Sequence, residues 1–236
     1  MPDADNRRMH RSLRGRDCLR GRRGRVDGAY PVRFHCLQHI HGAGHHQSSR
    51  RSPLTIEVIG HQWWWEVRYV GPDPSRLATT ANEIHIPVGQ PVRFRVTARD
   101  VIHRFWIPNL HGKIDLIPGQ ENTIWLQADE VGVFRGQSAE FCGLQHALMA
   151  FLAVAHPPEE FTSWLEQQRQ PAVTPAEPIL ERGQEVFLRS QCMLCHTVRG
   201  TGAFSRMGPD LTHIGSSRTL AAATIPIHSG IWRPGS

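Results

Sequence analysis

Alternation of apolar and polar residues dominates the middle of the chain and predicts β-strands there. Residues 54–58 and 92–96 alternate one by one, as half-buried strands do. Shorter apolar runs predict further strands at residues 83–87, 123–126 and 150–154. Glycine and proline separate these runs and mark turns. Many short strands with little helix predict an antiparallel sandwich over residues 53–158.

Two segments after the predicted sandwich have helical spacing. The first runs from Pro158 to about residue 168, and its apolar residues share one helix face. These residues are Phe161, Trp164 and Leu165. Prolines at positions 171, 175 and 178 then indicate a linker, so residues 159–178 are assigned to a short helix and a proline-rich linker. A second helix is predicted over residues 179–190.

Arginine, histidine and glycine dominate residues 1–52, which have neither strand nor helix periodicity. This composition predicts a disordered basic tail. Much of the net charge of +6 arises in this tail. No aromatic or motif context accompanies the charge, so we expect no nucleic-acid partner. No apolar run reaches the roughly 18 to 20 residues that span a bilayer, and no signal peptide is recognisable.

A short motif near the C-terminus carries the first candidate chemistry. Residues 192–196 read Cys-Met-Leu-Cys-His, which is the attachment pattern of a c-type haem. Cys192 and Cys195 are spaced to form thioethers to one porphyrin, and His196 is placed to bind the iron. A redox dithiol or half of a zinc site is the alternative for such a cysteine pair. The adjoining histidine favours haem, and residues 179–236 are predicted to form a small, partial all-α haem domain.

A second cluster combines soft metal ligands. Cys142, His146 and Met149 place a thiol, an imidazole and a thioether on one loop that leads into a predicted strand. His103 lies between apolar residues of a distant strand and supplies a second imidazole. This combination is typical of copper sites in all-β proteins. Taken singly, these residues are equally compatible with a buried core, and Cys142 with a small hydrophobe.

The residues around these candidates resemble a known family. Residues 60–66 read GHQWWWE, 100–103 read DVIH, 113–119 read KIDLIPG, and 140–149 read EFCGLQHALM. Together they resemble the periplasmic domain of cytochrome c oxidase subunit II. The haem motif after them resembles the caa-type branch, in which a cytochrome c domain is fused to that subunit. The resemblance implies a mainly β, cupredoxin-like Greek-key sandwich followed by the cytochrome segment.

The resemblance also implies roles for individual residues. In the family, a dinuclear copper centre called CuA is bridged by two cysteines. By position, His103, Cys142, His146 and Met149 match its side-chain ligands. Glu140 matches the residue whose backbone carbonyl binds copper and whose carboxylate faces a magnesium ion at the interface with subunit I. The aromatic patch that receives electrons corresponds to Trp63, Trp64 and Trp65.

The chain departs from the family at one bridging cysteine, which is Ser138 here. A serine oxygen is hard and barely acidic, so it does not replace a thiolate that bridges two coppers. Two histidines, one cysteine and one methionine remain, and they form the ligand set of a mononuclear blue-copper site. The hypothesis is therefore that the domain binds a single copper ion.

Both ends of the chain differ from what the resemblance implies. Family members begin with two membrane helices, where this chain has the basic tail. A cytochrome c domain also supplies a distal methionine to iron. Met207 precedes the Gly-Pro-Asp-Leu turn and is poorly placed, which leaves His213 or His228 as substitutes. These differences suggest a truncated or frameshifted reading frame around a genuine core.

The resemblance implies an electron-transfer subunit of a haem–copper terminal oxidase. Electrons from a donor cytochrome c or the fused haem would pass through copper to subunit I, which performs the oxygen chemistry among the membrane subunits. The resemblance places the domain on the extracytoplasmic, periplasmic face of the cell membrane. Alternatives are a soluble copper- and haem-binding electron carrier and a non-functional product of a truncated gene. A quinol-oxidase subunit without copper fits poorly, because four side-chain ligands remain.

Overall fold

The computed structural model describes residues 53–71, 73 and 76–227, and its middle part consists of two stacked β-sheets. The first sheet has the spatial order β3-β2-β1-β5-β8, and the second has the order β4-β10-β9-β6-β7. The strands are β1 (Thr55–His61), β2 (Trp64–Val70), β3 (Ala78–Ala81), β4 (Glu83–Pro87), β5 (Val92–Ala98), β6 (His103–Trp106), β7 (Ile114–Leu116), β8 (Asn122–Leu126), β9 (Gly132–Ser138) and β10 (Ala150–His156). The predicted sandwich is confirmed. Two pairings, β1 with β5 and β4 with β10, are parallel rather than antiparallel.

The core lies between the two sheets and is rich in aromatic rings. Along β5, buried and half-buried positions alternate without interruption, as the sequence pattern predicts. Trp65 from the first sheet meets Phe105 and Phe151 from the second with ring centroids 5.9 and 5.1 Å away. Phe105 and Phe151 stack on each other at 5.0 Å. These contacts join the two sheets through large apolar surfaces, which stabilises the sandwich.

Helix α1 (Pro158–Arg169) packs against the sandwich. Phe161 is buried, and Trp164 meets the ring of Tyr69 at 5.2 Å. The predicted helix is confirmed, but the sequence analysis grouped it with the linker. The extended connection covers only residues 170–177, because the apolar face of α1 is buried on the sheet.

Helix α2 (Pro178–Arg189) leads into the cysteine motif, and Pro178 occupies its first turn rather than the linker. A 3₁₀ turn, Gln191–Leu194, follows directly. Two very short strand pairs come next: β11 (Thr197–Val198) with β12 (Ala203–Phe204), and β13 (Thr219–Leu220) with β14 (Ile225–Pro226). The predicted small helical segment is confirmed by α2, and the described part after it adds short hairpins and 3₁₀ turns.

The haem-motif segment is bonded to the sandwich and its helix. The guanidinium of Arg199 donates to the backbone carbonyls of Gln168 and Arg169 at the end of α1. The carboxylate of Glu83 accepts the backbone amides of Arg218 and Thr219 at 2.6 and 3.1 Å. All described residues belong to one compact unit. Within them, no helix combines the length and apolar character needed to cross a bilayer. The predicted tail, residues 1–52, lies outside the described residues.

Candidate metal and haem sites

Three strand ends bring the predicted copper ligands to one end of the sandwich. His103 is the first residue of β6, Ser138 is the last of β9, and Met149 immediately precedes β10. The loop from 139 to 149 connects the two neighbouring strands β9 and β10 and contains the 3₁₀ turn His146–Leu148. Because β9 pairs with both β6 and β10, the sheet fixes the spacing of these ligands.

The soft ligands of the loop are in contact. The Sγ atom of Cys142 lies 3.6 Å from Nδ1 of His146 and 3.7 Å from Sδ of Met149. Cys142 and Met149 are buried, whereas His146 is half-buried. Burial raises the pKa of the Cys142 thiol, although the neighbouring Ser138 hydroxyl acts in the opposite direction. A bound cation would offset this desolvation by stabilising the thiolate.

His103 presents a free nitrogen in a buried environment. Its Nε2 atom bonds Oδ1 of Asp100 at 2.9 Å, and among the described residues its Nδ1 atom has no hydrogen-bond partner. Burial lowers the pKa of His103, which keeps the imidazole neutral, as metal binding requires. A carboxylate behind a metal-binding histidine fixes its tautomer and ring orientation. A Cβ at Gly60 would lie 2.7 Å from the ring, so the strand needs glycine there.

Ser138 is buried among the candidate ligands and bonds its neighbours. Its hydroxyl donates to the Glu140 carbonyl at 3.2 Å and accepts the amide of Arg104 at 3.5 Å. Ser138 stands where the family has a bridging cysteine, but its hydroxyl oxygen already takes part in these two hydrogen bonds. The Glu140 carboxylate lies 3.4 Å from the Arg104 guanidinium. The carbonyl and the carboxylate of Glu140 are both present at the loop, each with a protein partner.

The donor set suits one copper ion better than a harder metal. In the part of the chain that the structure describes, no three histidine, cysteine, aspartate or glutamate side chains form a metal cage. Here the third soft contact comes from the thioether of Met149, which zinc and magnesium sites rarely use. By their chemistry, one thiolate, two imidazoles and one thioether are the ligand types of a single copper ion, but among the described residues His103 does not join Cys142 and His146 in a group that could hold it. Two bridged coppers do not fit, because only one thiolate is present.

The three adjacent tryptophans have different environments. The Nε1 atom of Trp63 donates to the Cys142 carbonyl at 2.9 Å, and Trp64 stacks on His61 at 4.3 Å. Trp65 is fully buried in the core and points away from the surface. Its burial distinguishes Trp65 from the two other tryptophans of the predicted electron-entry patch. Trp63 and Trp64 stay candidates for that patch.

Two residues of this site escaped the sequence analysis. Gln62 donates from Nε2 to the Cys142 carbonyl at 2.9 Å, beside the bond from Trp63. Its backbone amide donates to the carboxylate of Asp100 at 2.6 Å, so Asp100 connects the turn between β1 and β2 to His103. Hydrogen bonds to His103 and to two backbone amides lower the pKa of Asp100, although burial acts to raise it. The only sequence signal was an acidic residue three positions before a candidate ligand.

The haem motif has the features that a covalent haem requires. Cys192 and Cys195 are exposed free thiols at the end of α2. His196 directs Nδ1 to the Pro209 carbonyl at 2.8 Å, which leaves Nε2 available for iron. A Cβ at Gly208 would lie 2.9 Å from the His196 ring, so glycine allows this close approach. Large apolar side chains around the motif are exposed: Ile179, Leu180, Val186 and Leu194. A porphyrin would cover such a face.

The candidates for the second iron ligand are not gathered at the motif. Met207 is 77% exposed and adjoins Gly208, which packs on the ring edge of His196 that carries Nδ1. His213 uses Nε2 to bond the Gln170 carbonyl at 2.9 Å. His228 lies outside the described residues. The described residues therefore assign no distal ligand to iron.

Comparisons with known proteins match both halves of the chain. The model of the cytochrome C oxidase subunit II periplasmic domain matches residues 70–155, and that of cytochrome c matches residues 180–231. The cytochrome c oxidase subunit 2 of Alkalihalophilus pseudofirmus is 42% identical over 166 residues, which are 70% of this chain and 47% of that protein. The protein of the same name from Bacillus sp. strain PS3 is 32% identical over 183 residues, which are 72% of this chain and 49% of that protein.

Among solved structures, the periplasmic domain of subunit II (CoxB) of Bradyrhizobium japonicum is similar, with 35% identity and a TM-score of 0.47. The match covers 50% of this chain and 95% of that domain. The chain spans about half the length of the curated relatives it matches. The cytochrome c match lies within the predicted haem segment, residues 179–236.

Proposed function

Because the chain belongs to the cytochrome c oxidase subunit II family, we propose that it transfers electrons to a haem–copper terminal oxidase. The observation that carries this proposal is the contact of Cys142 with His146 and Met149, beside the unpartnered Nδ1 of His103. When bound, copper and haem supply the one-electron chemistry. The chain holds their ligands in a fixed arrangement and presents them to partners.

The copper site proposed here is mononuclear. His103, Cys142, His146 and Met149 would hold the ion, and the carbonyl of Glu140 is a further oxygen near them. Ser138 is proposed to support the site through its hydrogen bond to the Glu140 carbonyl, since it offers no second thiolate. The CuA centre of the family needs two bridging sulfurs, so this chain is proposed to carry one copper ion instead. Asp100 supports this role by holding His103 with Nδ1 free.

The haem site proposed here uses Cys192 and Cys195 as attachment points and His196 as iron ligand. The bond from His196 to the Pro209 carbonyl fixes the ring, and the exposed apolar face of α2 offers a hydrophobic support. Such second contacts tune ligand basicity and the polarity around the iron.

Partners and location follow from the family. The proposed acceptor is subunit I, among the other membrane subunits, and the proposed donors are a cytochrome c or the haem of this chain. Trp63 supports this proposal, because its indole donates a hydrogen bond to the carbonyl of Cys142. It therefore connects the surface to the loop of residues 139–149, which is called the copper loop below. Glu140, next to Arg104, is proposed to face the subunit I interface and the magnesium found there in the family. The proposed location is the extracytoplasmic face of the membrane.

The proposal is tested by expressing the full chain with the haem-attachment machinery and loading it with copper. We expect covalent haem bands together with a strong thiolate-to-copper band in the absorption spectrum. After rapid one-electron reduction of the haem, the copper band should bleach as the haem reoxidises. Failure of the two bands to exchange electrons would contradict the proposal. Co-purification with subunit I then separates an oxidase subunit from an independent carrier.

A further inference from the structure

A row of two carboxylates and two imidazoles crosses the sandwich far from the copper loop. His85 lies on β4, and His156 is the last residue of β10, at the end opposite Met149. Nδ1 of His85 and Nε2 of His156 are 2.7 Å apart. At the outer ends, Glu83 lies 3.5 Å from Nε2 of His85, and Glu160 lies 3.9 Å from Nδ1 of His156.

The two imidazoles meet edge to edge. Their planes differ by 11°, and their centroids are 5.0 Å apart, which is close to the hydrogen bond plus the two ring radii. The rings therefore share one nearly straight N–H···N hydrogen bond in a common plane. Such a bond requires one nitrogen that donates and one that accepts. It exists while at least one of the two rings is neutral, and it is lost when both are protonated.

Groups from every neighbouring element face this pair. Trp164 of α1 stacks on His85 with a centroid distance of 3.9 Å and an angle of 9°. The hydroxyl of Tyr69, on β2, accepts the backbone amide of His85 at 2.7 Å. Glu83 and Glu160 favour the protonated rings, whereas the Arg218 cation disfavours protonation of both. The pair is therefore enclosed by two acids, one cation, one phenol and one indole.

The row also joins separate parts of the chain. Glu83 is almost fully buried, and its Oε1 atom accepts the amides of Arg218 and Thr219, where β13 begins. At the other side, Trp164 and Glu160 belong to α1, which precedes the linker to the haem motif. The His85–His156 bond thus lies between the two places where the segments flanking the haem motif contact the sandwich.

We propose that the His85–His156 hydrogen bond is a proton-operated latch that holds the α1 helix and the β13 segment to the sandwich. When both imidazoles are neutral, three interactions form together. They are the His85–His156 hydrogen bond, the stacking of His85 on Trp164 and the two hydrogen bonds from backbone amides to Glu83. Protonation of both rings places two cations side by side, breaks the bond and draws Glu83 toward His85 in competition with the two amides. The latch then opens. All groups that form this latch belong to the polypeptide, so the latch does not depend on copper or haem.

The direction of the pH effect follows from burial. Burial lowers the pKa of His85 and, more strongly than its neighbours do, that of His156. The folded state therefore binds fewer protons than the opened state below the usual histidine pKa of about 6.5. Stability of the latched form is complete above this value and falls as the pH decreases. Acid opens the latch, and neutral pH closes it.

Hydrogen exchange of the Arg218 and Thr219 amides in the full chain tests the latch directly. After correction for intrinsic exchange, we expect the opening constant to rise by up to about tenfold per pH unit for each proton taken up, as the pH falls from about 6.5 to about 5. Imidazole nuclear magnetic resonance should show His85 and His156 titrating over the same range. Protection that does not change across this range would overturn the proposal.

Two variants separate the latch from general acid effects. His156→Gln keeps a polar side chain that does not titrate, so only His85 can still take up a proton and the pH dependence of protection should fall by about half. His111→Gln is the matched control, because His111 is exposed on a loop and should keep the wild-type dependence. An undiminished pH dependence in His156→Gln would contradict the latch. If that variant is open at every pH, the wild-type imidazole titration decides, since opening must then follow protonation of this pair.

Discussion

Ser138 limits the number of copper ions that the copper loop is proposed to bind, because it replaces a bridging thiolate. The sequence identified four soft ligands by type and spacing, and the structure places three of them in contact through Cys142, with His103 presenting a free Nδ1. Spacing could not identify Asp100 or Gln62, because their bonds depend on how two separate loops meet in space. The hydroxyl of Ser138 is satisfied by Glu140 and Arg104, so a buried oxygen replaces sulfur without leaving an unpaired group.

Replacing Ser138 with cysteine should restore the second thiolate. Ser138→Cys is expected to about double the copper bound per chain, because a bridging sulfur allows two ions to share the site. Elemental analysis after copper loading and gel filtration measures this ratio. Ser138→Ala is the matched control and should keep the wild-type ratio. An unchanged ratio in Ser138→Cys would show that the loop, rather than the missing sulfur, limits copper binding.

Asp100 is expected to act through His103. Asp100→Ala removes the acceptor for Nε2, which frees the ring to rotate, and copper affinity should fall by about 10- to 100-fold. Asp100→Asn keeps an acceptor oxygen at the same place and should lose much less. Competition with a chelator of known affinity measures both constants. Equal affinities for Asp100→Ala and the wild type would remove Asp100 from the site.

Among the elements, periodicity predicted the sandwich strands and both helices, but not the short hairpins that follow α2. Strand β5 and helix α1 follow their sequence patterns, because a buried face imposes a period of two or of one helix turn. The parallel pairing of β1 with β5 could not be read from these patterns, which describe a strand and not its neighbour. The short hairpins after α2 have too few residues to show any period.

Gly136 on β9 lies directly opposite Phe151 on the neighbouring strand β10. A Cβ there would lie 2.1 Å from the Phe151 ring, which is buried between Trp65 and Phe105. Gly136→Ala should lower the free energy of unfolding by about 1 to 3 kcal/mol, because the ring has no free space to enter. Denaturant titration of the full chain measures the change. Gly112→Ala, with no atom within 4 Å, should unfold like the wild type. A neutral Gly136→Ala would mean that the core is looser than described.

In the whole molecule, hydrogen bonds between side chains and backbone groups attach the haem-motif segment to the sandwich and its helix. The guanidinium of Arg199 donates to a backbone carbonyl at the end of α1, and the carboxylate of Glu83 accepts two backbone amides at the start of β13. The sequence could not predict either contact, because each joins residues far apart in the chain. The family resemblance indicated that the sandwich precedes the haem-motif segment. The structure adds the hydrogen bonds that join the described residues of the two.

Global stability of the copper-free chain should depend on pH in the direction set by His85 and His156. Burial lowers the pKa of both rings, so the unfolded chain binds more protons below about pH 6.5. The free energy of unfolding is expected to increase from pH 5 toward pH 7 by up to about 1.4 kcal/mol per pH unit per histidine. Denaturant titrations across this range measure the slope. A flat or falling profile would contradict the burial of the pair.

We propose that this subunit II relative carries one copper ion held by a single thiolate. Electron paramagnetic resonance of the oxidised, copper-loaded full chain distinguishes one copper from two. Since one copper nucleus splits the signal of a mononuclear site, we expect a four-line hyperfine pattern, with spin intensity equal to the copper content. A seven-line pattern, in which one electron is shared by two equivalent coppers, would rule out the mononuclear site.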